Sequence, residues 1–279
     1  MLSNRYFFFK ILVICLISSS FFLGYFLREN ATGGGLEFYN LSWPIIQSLK
    51  KDFFYTIKNY AQFNDGTIPF SHILNAYLNP FSDDVKYFQL SVTVISFITF
   101  FVFAKILKRV FSEINFIDIL LTASVILLLP FFRTSAFWGK NENYGWLFFM
   151  LALYFFFEIK RNISNTPSNR DTLNIIFFCL ASACALYARQ ALIFLPISYF
   201  LYLFFNKANK KIIIISIISF TILALPGIFL VITWGSSYNV QDVLLPIGFN
   251  ESFIHPKYIL INIPILLSFF GFYLLPILI

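Results

Sequence analysis

Few residues in this chain could do chemistry, and they fall at places where an apolar sequence is interrupted. Glu37 follows three glycines and precedes an amphipathic stretch, with no helix cap or i,i+4 partner to account for it. A carboxylate held at the mouth of a membrane cavity can take a proton from a hydroxyl, whereas a solvated loop glutamate does nothing. Asp65, in Asn64-Asp65-Gly66-Thr67-Ile68-Pro69, is the second candidate base, although Asp-Gly also marks an ordinary turn. Arg189-Gln190 interrupts a long apolar run. A charge at membrane depth costs roughly 2.5–3.5 kcal/mol even on mild scales, so an intramembrane Arg signals function unless it snorkels to the surface. Its planar fork suits a phosphate. Arg133, Lys140 and Glu142 form a small charged turn, and His255 and Tyr258 open a late apolar run. Both segments also read as ordinary solvated or interfacial clusters.

The elements that must carry these residues are membrane helices. The chain has 279 residues, 59% hydrophobic and 21% aromatic with 12% charged, and its mean hydropathy is +0.78. A water-soluble domain cannot hide that much apolar surface, so the expectation is an all-α, polytopic membrane protein with a single membrane domain over residues 1–279. The net charge of +7 comes from short Lys/Arg clusters between apolar runs. This is an orientation signal rather than a nucleic-acid footprint, so no nucleic-acid partner is expected. Cys15, Cys179 and Cys184 lie inside apolar runs, and with only two histidines neither a disulfide framework nor a metal site is expected.

Crossing the hydrocarbon core takes about 20 apolar residues. Runs at 6–26, 87–107, 116–132, 144–159, 172–188, 191–205, 212–233 and 258–279 give eight expected spans, the first an uncleaved signal anchor. Basic clusters at Arg5/Lys10, Lys105/Lys108/Arg109, Lys160/Arg161/Arg170 and Lys207/Lys210/Lys211 mark alternate turns, which puts the N-terminus in the cytoplasm and residues 27–86 outside. A single helix over 172–205 would be roughly 50 Å long and would misplace the last cluster, so two short helices meeting at Arg189-Gln190 are expected. Within 27–86, Ile46, Leu49, Phe53, Ile57 and Tyr60 repeat at helical spacing, with Ser42 as cap and Pro44 in the first turn. That pattern predicts an amphipathic helix lying on the bilayer. A second short helix runs from Ser71 toward Asn79-Pro80, and Asp83-Asp84 fit a helix start. Carboxylates after the first span and a buried Arg-Gln on the same membrane face point to a site for a phosphate whose tail stays in lipid.

With these residues in hand, the chain resembles the GT-C class of membrane glycosyltransferases, whose long first outward loop carries membrane-parallel helices and an acidic residue near its start. Gly35-Leu36-Glu37-Phe38-Tyr39 matches that position. It is most similar to the dolichyl-phosphate-glucose α-1,2-glucosyltransferases: Asn64-Asp65-Gly66-Thr67-Ile68-Pro69 is similar to their Asp-Pro-x-Ile-Thr-x-Pro stretch, Arg189-Gln190 to their Arg-Gln-Thr-Asn, and His255-Pro256-Lys257-Tyr258 to their His-x-x-Gln-x-x-Tyr. Glu142 stands ahead of Gly145 where that family has an acidic residue before Gly. A single Glu37 replaces the family's Asp-Glu pair, and Ala191-Leu192 stand in place of Thr-Asn.

The resemblance implies inverting transfer of a sugar from a polyprenyl-phosphate donor to the hydroxyl of a glycan or lipid-linked acceptor, without a cofactor or metal. It implies Glu37 as base with Asp65 second, Arg189 and Gln190 on the donor phosphate with Lys140 and His255, and Glu142, Asn64 and Tyr258 lining the cavity. The implied setting is a bilayer, the bacterial inner membrane ahead of the endoplasmic reticulum, with the site on the extracytoplasmic face. A polysaccharide polymerase or a lipid-linked oligosaccharide transporter is the alternative; a non-catalytic membrane subunit is a third class.

Overall fold

In the computed structural model the described residues are 2–30, 33–63, 65, 67–160, 163 and 166–234. Among them the regular structure is entirely helical. α1 (Leu2–Phe26) is an unbroken apolar helix of 25 residues, about 37 Å long and sufficient to cross the hydrocarbon core. Phe8, Phe9, Leu12, Leu16 and Leu23 stay exposed along it, as expected for side chains that meet lipid.

The segment after α1 is built of short pieces. α2 (Gly34–Glu37) runs through a π-helical turn at Phe38–Ser42 into α3 (Trp43–Lys51), and α4 (Phe53–Lys58), a 3-10 turn at Tyr60–Phe63 and α5 (Phe70–Tyr77) follow. Two expectations are corrected here. The amphipathic stretch is not one helix: Asp52 is extended, ends α3, and accepts from the Tyr55 N–H to cap α4. Nor does its apolar face lie on the bilayer. Ile45, Ile46 and Leu49 are fully buried inside the protein, against α5 and the cluster of Phe38, Phe88 and Trp138. Ser42 is already helical and offers no side-chain cap, because the π turn leads directly into α3.

α6 (Val85–Val110) starts at Asp84, whose carboxylate accepts from the N–H groups of Lys86 and Tyr87. Asp83 instead pairs with Lys50 and ties α3 to the start of α6. α7 (Phe116–Ser124) continues through a 3-10 turn at Val125–Leu128, and Pro130 opens α8 (Pro130–Trp138). The two halves bend by 72°. The expected span at 116–132 is therefore broken, and residues 130–138, expected to be largely a turn, are a buried helix. Proline lacks the N–H that would continue the preceding helix, yet its fixed φ suits a first turn.

α9 (Asn141–Lys160), α10 (Asn169–Ala188), α11 (Phe194–Phe205) and α12 (Lys210–Trp234) complete the bundle. A reciprocal Ser168/Asp171 capping box starts α10. The chain reverses at Arg189 and a 3-10 turn, Gln190–Ile193. α11 then runs back beside α10: the Tyr199 ring lies 4.2 Å from that of Phe178, and the Asn209 N–H reaches the Ile163 carbonyl at 3.1 Å. Two helices meeting at Arg189-Gln190, not one long rod, is the arrangement observed. α12 packs along α10, where the Gly227 N–H donates to the Tyr187 hydroxyl at 3.1 Å, and touches α11, with the Tyr199 hydroxyl 3.0 Å from Ser216 Oγ.

Four described helices are long and apolar enough to cross a membrane, Arg5–Phe26, Val85–Val110, Asn169–Ala188 and Lys210–Leu230, and the bent pair makes a fifth if it counts as one span. These are the helices of a multi-pass membrane protein. The expected span at 258–279 lies outside the described residues. Among the described residues there are two apolar cores, one around Phe21, Phe88, Phe100 and Phe137, the other around Phe178, Cys179, Ala185 and Tyr199.

Candidate functional site

The site is organised by four consecutive residues, Lys140-Asn141-Glu142-Asn143, where α8 hands over to α9. Gly139 ends α8 with φ 56°, a left-handed conformation that costs little only for glycine. A Cβ there would also come within 3.0 Å of the Phe88 ring. The chain then re-enters a helix, and because successive helical side chains point about 100° apart, each of the four reaches a different element.

Lys140 Nζ pairs with Glu37 Oε2 at 2.7 Å. Asn141 Nδ2 donates to Thr67 Oγ1 at 2.7 Å. Glu142 Oε1 lies 3.1 Å from a terminal guanidinium nitrogen of Arg189. Asn143 donates to the Val92 carbonyl at 3.0 Å and accepts from the Ser96 hydroxyl of α6. The start of the segment between α1 and α6, its middle, the α10–α11 break and α6 are thereby fastened to one turn of helix. Glu142 and Asn143 are buried, so this turn is not the solvated one that its charges suggest.

Glu37 and Arg189, the two residues given opposite roles in the sequence reading, are thus joined through Lys140 and Glu142. Their side chains are the accessible members of the pairs: Glu37 is 45% exposed against 12% for Lys140, and Arg189 43% against 10% for Glu142. Arg189 is therefore less buried than expected, and its charge already faces a carboxylate. α9 comes close at this point, since a Cβ on Gly145 would be 3.4 Å from that of Arg189. The Gln190 amide nitrogen is buried with no partner among the described residues.

A second charged pair, missed in the sequence reading, anchors the start of the segment between α1 and α6. Arg28 is left-handed (φ 56°) and the Glu29 N–H reaches back to the Gly24 carbonyl at 3.0 Å, a Schellman-type stop to α1. This turns the Glu29 carboxylate onto Arg133 of α8, which grips it with two hydrogen bonds of 2.6 and 2.7 Å. The buried guanidinium also donates to the carbonyls of Ser20, at 2.7 Å, and Leu127, at 3.3 Å. Its fork is used up, so Arg133 holds structure rather than ligand. The Trp138 indole donates to the Glu29 carbonyl at 2.8 Å and stands against α2, which carries Glu37.

Asp65 is buried and accepts from the Tyr60 hydroxyl at 2.8 Å and from the Thr67 N–H and hydroxyl at 3.0 and 2.8 Å. His72 Nε2 of α5 lies 2.8 Å from Oδ2, the oxygen that Tyr60 also engages. Burial pushes the Asp65 carboxyl up, but the hydrogen bond and charge of His72, with the Tyr60 and Thr67 donors, outweigh it and hold the group below the usual carboxylate range. Its oxygens are taken up within the segment between α1 and α6, and of the two carboxylates Glu37 is the more accessible.

Asn64, His255 and Tyr258 lie outside the described residues. Among the described residues no group of three or more His, Cys, Asp or Glu side chains is placed to hold a metal ion. Glu29, Asn141 and His72 were given no role in the sequence reading, and Arg133 was read only as part of a charged turn. A signal for α8 was present, however: Pro130 at a helix start and Gly139 at its end frame nine residues as a helix. Set against protein-family models, curated proteins and solved structures, the chain matches none.

Proposed function

We propose that this chain is a GT-C-type membrane glycosyltransferase. It would move a sugar from a polyprenyl-phosphate donor to the hydroxyl of a glycan or lipid-linked acceptor, with inversion; glucose is the sugar that the resemblance favours. One observation carries the reading: the accessible carboxylate of Glu37 and the accessible guanidinium of Arg189 are fastened to the same helical turn by Lys140 and Glu142. A base and a phosphate clamp must converge in this way for such a transfer.

In the proposed reaction Glu37 takes the acceptor hydroxyl proton, the acceptor oxygen forms the new bond to the anomeric carbon, and the bond from that carbon to the phosphate oxygen breaks. The electron pair leaves with the polyprenyl phosphate, whose charge Arg189 and Lys140 neutralise while Gln190 donates a hydrogen bond, with His255 as a further donor. Both cations now rest on carboxylates. A phosphate arriving between them exchanges places with those carboxylates and releases Glu37 when the acceptor needs it. In this reading the chain crosses the bilayer eight times, its ends lie in the cytoplasm, and the site faces the extracytoplasmic side of a bacterial inner membrane.

The test is an assay in native membranes with a panel of radiolabelled polyprenyl-phosphate sugars. Transfer of label to a water-soluble or lipid-linked acceptor, with release of polyprenyl phosphate, is expected from one of them. Label that crosses the membrane still attached to its lipid would replace this reading with transport.

A further inference from the structure

The outer helix α5 carries buried hydrogen-bonding groups that the fold does not use. Ser71, His72 and Asn75 are at most 1% exposed, and Ser71 Oγ, His72 Nδ1 and Asn75 Nδ2 have no partner among the described residues. Residues 71 and 75 share a helix face, with 72 beside them. That face meets α9 through the Tyr144 hydroxyl, which donates to Asn75 Oδ1 at 2.6 Å. One turn earlier on α9, Asn141 donates to Thr67 but its Oδ1 is buried and unpartnered. An unsatisfied buried polar group is costly, and four such groups gathered where α5 meets the start of α9 are not a packing accident; two of them, His72 and Asn141, are linked through Asp65 and Thr67.

The chemistry of the four selects their partner. Asn75 offers donors, Asn141 an acceptor, and Ser71 both; with Nε2 engaged by the Asp65 carboxylate, His72 Nδ1 completes the set. Ser71, Asn75 and Asn141 bear no formal charge, and the His72 ring is already paired with the Asp65 carboxylate. Such a mixture suits hydroxyls, each of which donates and accepts, and not a phosphate or an ammonium group. Aromatic rings flank the same seam: Phe70 of α5 lies 6.0 Å from Phe148 and 5.8 Å from Tyr187, and Tyr144 stacks on Phe148. Aromatic faces beside neutral hydrogen-bonding groups fit the apolar face and hydroxyl rim of a sugar ring.

We infer that the face of α5 turned toward α9 and α10 is a binding site for a neutral polyhydroxylated ring, a sugar, held by Ser71, His72, Asn75 and Asn141. The ligand is admitted by parting α5 from the bundle at the Asn141–Thr67 and Tyr144–Asn75 bonds. The inference deepens the transferase reading and rests on it for the biological ligand. Asn141 sits between Lys140 and Glu142, so a sugar on α5 has its phosphate end beside Lys140 and Arg189.

The test uses the full chain in lipid nanodiscs and, as probes, the methyl glycosides of glucose, mannose and galactose, which carry no phosphate. Binding is read by saturation-transfer NMR and stability by thermal melting. Wild-type protein is expected to bind at least one glycoside. Ser71→Ala removes a group that is orphaned without ligand, so it should leave the apo melting temperature unchanged or higher while weakening binding about fivefold. Ser135→Ala deletes an equally orphaned hydroxyl on α8 and should leave binding unchanged. No glycoside signal from the wild type, or wild-type affinity in Ser71→Ala, overturns the inference. Weakened glycoside binding in Ser71→Ala, without transfer from any polyprenyl-phosphate sugar, sustains this site and removes the transferase reading. Transfer by the wild type with unaltered glycoside affinity in Ser71→Ala does the reverse.

Discussion

Gly24→Ala adds one carbon to α1 at a place where the structure leaves no room. A Cβ there would stand 2.2 Å from a terminal nitrogen of Arg133 and 2.7 Å from the Glu29 carboxylate. Relief requires the guanidinium to move, and it is held by the Ser20 carbonyl and by the fork to Glu29. The lost charge-assisted bond to Ser20 costs about 1.5 kcal/mol. The fork is discounted to about 1 kcal/mol because the Glu29 side chain is 41% exposed and screened by solvent. Overpacking adds roughly 1–3 kcal/mol, and the better helix propensity of Ala returns up to about 1 kcal/mol. The net expectation is a loss of about 3 kcal/mol, read as a shift in the midpoint of unfolding in mixed micelles. A double-mutant cycle isolates the cause: in an Arg133→Met background the same Gly24→Ala change should cost nothing or stabilise slightly. A Gly24→Ala protein as stable as the wild type, or one whose loss persists unchanged beside Arg133→Met, refutes the clash.

Three further outcomes follow from the same geometry. Arg189→Lys keeps the charge and loses the planar fork, so donor binding and turnover should fall together, about tenfold or more; a variant with wild-type donor affinity would remove Arg189 from the phosphate. Asp65 has a folded-state pKa below its unfolded value of about 3.9. Its stabilising contribution is therefore fully present above that unfolded value and is lost as pH falls toward the lower folded one. Unfolding midpoints measured across that acid range should decline in the wild type and flatten in Asp65→Asn, and a parallel decline in both would contradict the assignment. In a background lacking Cys15, Cys179 and Cys184, Lys51→Cys and Ser112→Cys should react with an impermeant maleimide from opposite faces of the membrane, since one full-length apolar helix, α6, separates them; labelling of both from one side contradicts the topology.

The long apolar runs were legible in sequence because nothing but a membrane helix accounts for α1, α6, α10 or α12. The reversal at Arg189-Gln190 was legible too, since a rod of that length would misplace the basic cluster at Lys207–Lys211. The environment of the α3 face was not, because the periodicity of Ile46, Leu49 and Phe53 is the same whether the stripe meets lipid or protein. The stop at Asp52 was hidden inside that periodicity, where one capping residue changes two dihedral angles and not the pattern. Charges at Arg133, Lys140 and Glu142 suggested a wet turn, but each finds its counter-charge far along the chain, Arg133 on Glu29 and Glu142 on Arg189. No local signal predicts pairings at that separation. Only Pro130 and Gly139 hinted that a helix lay between.

The most direct test of the account is the division of labour at Glu37. Glu37→Gln keeps the size of the side chain and a hydrogen bond to Lys140 but removes the base. With purified protein in nanodiscs and the donor that supports transfer, turnover should fall by a factor of about 10² or more, while the dissociation constant for the polyprenyl-phosphate sugar changes little. Wild-type turnover in Glu37→Gln, or loss of donor binding in parallel with turnover, would contradict Glu37 as the base that deprotonates the acceptor.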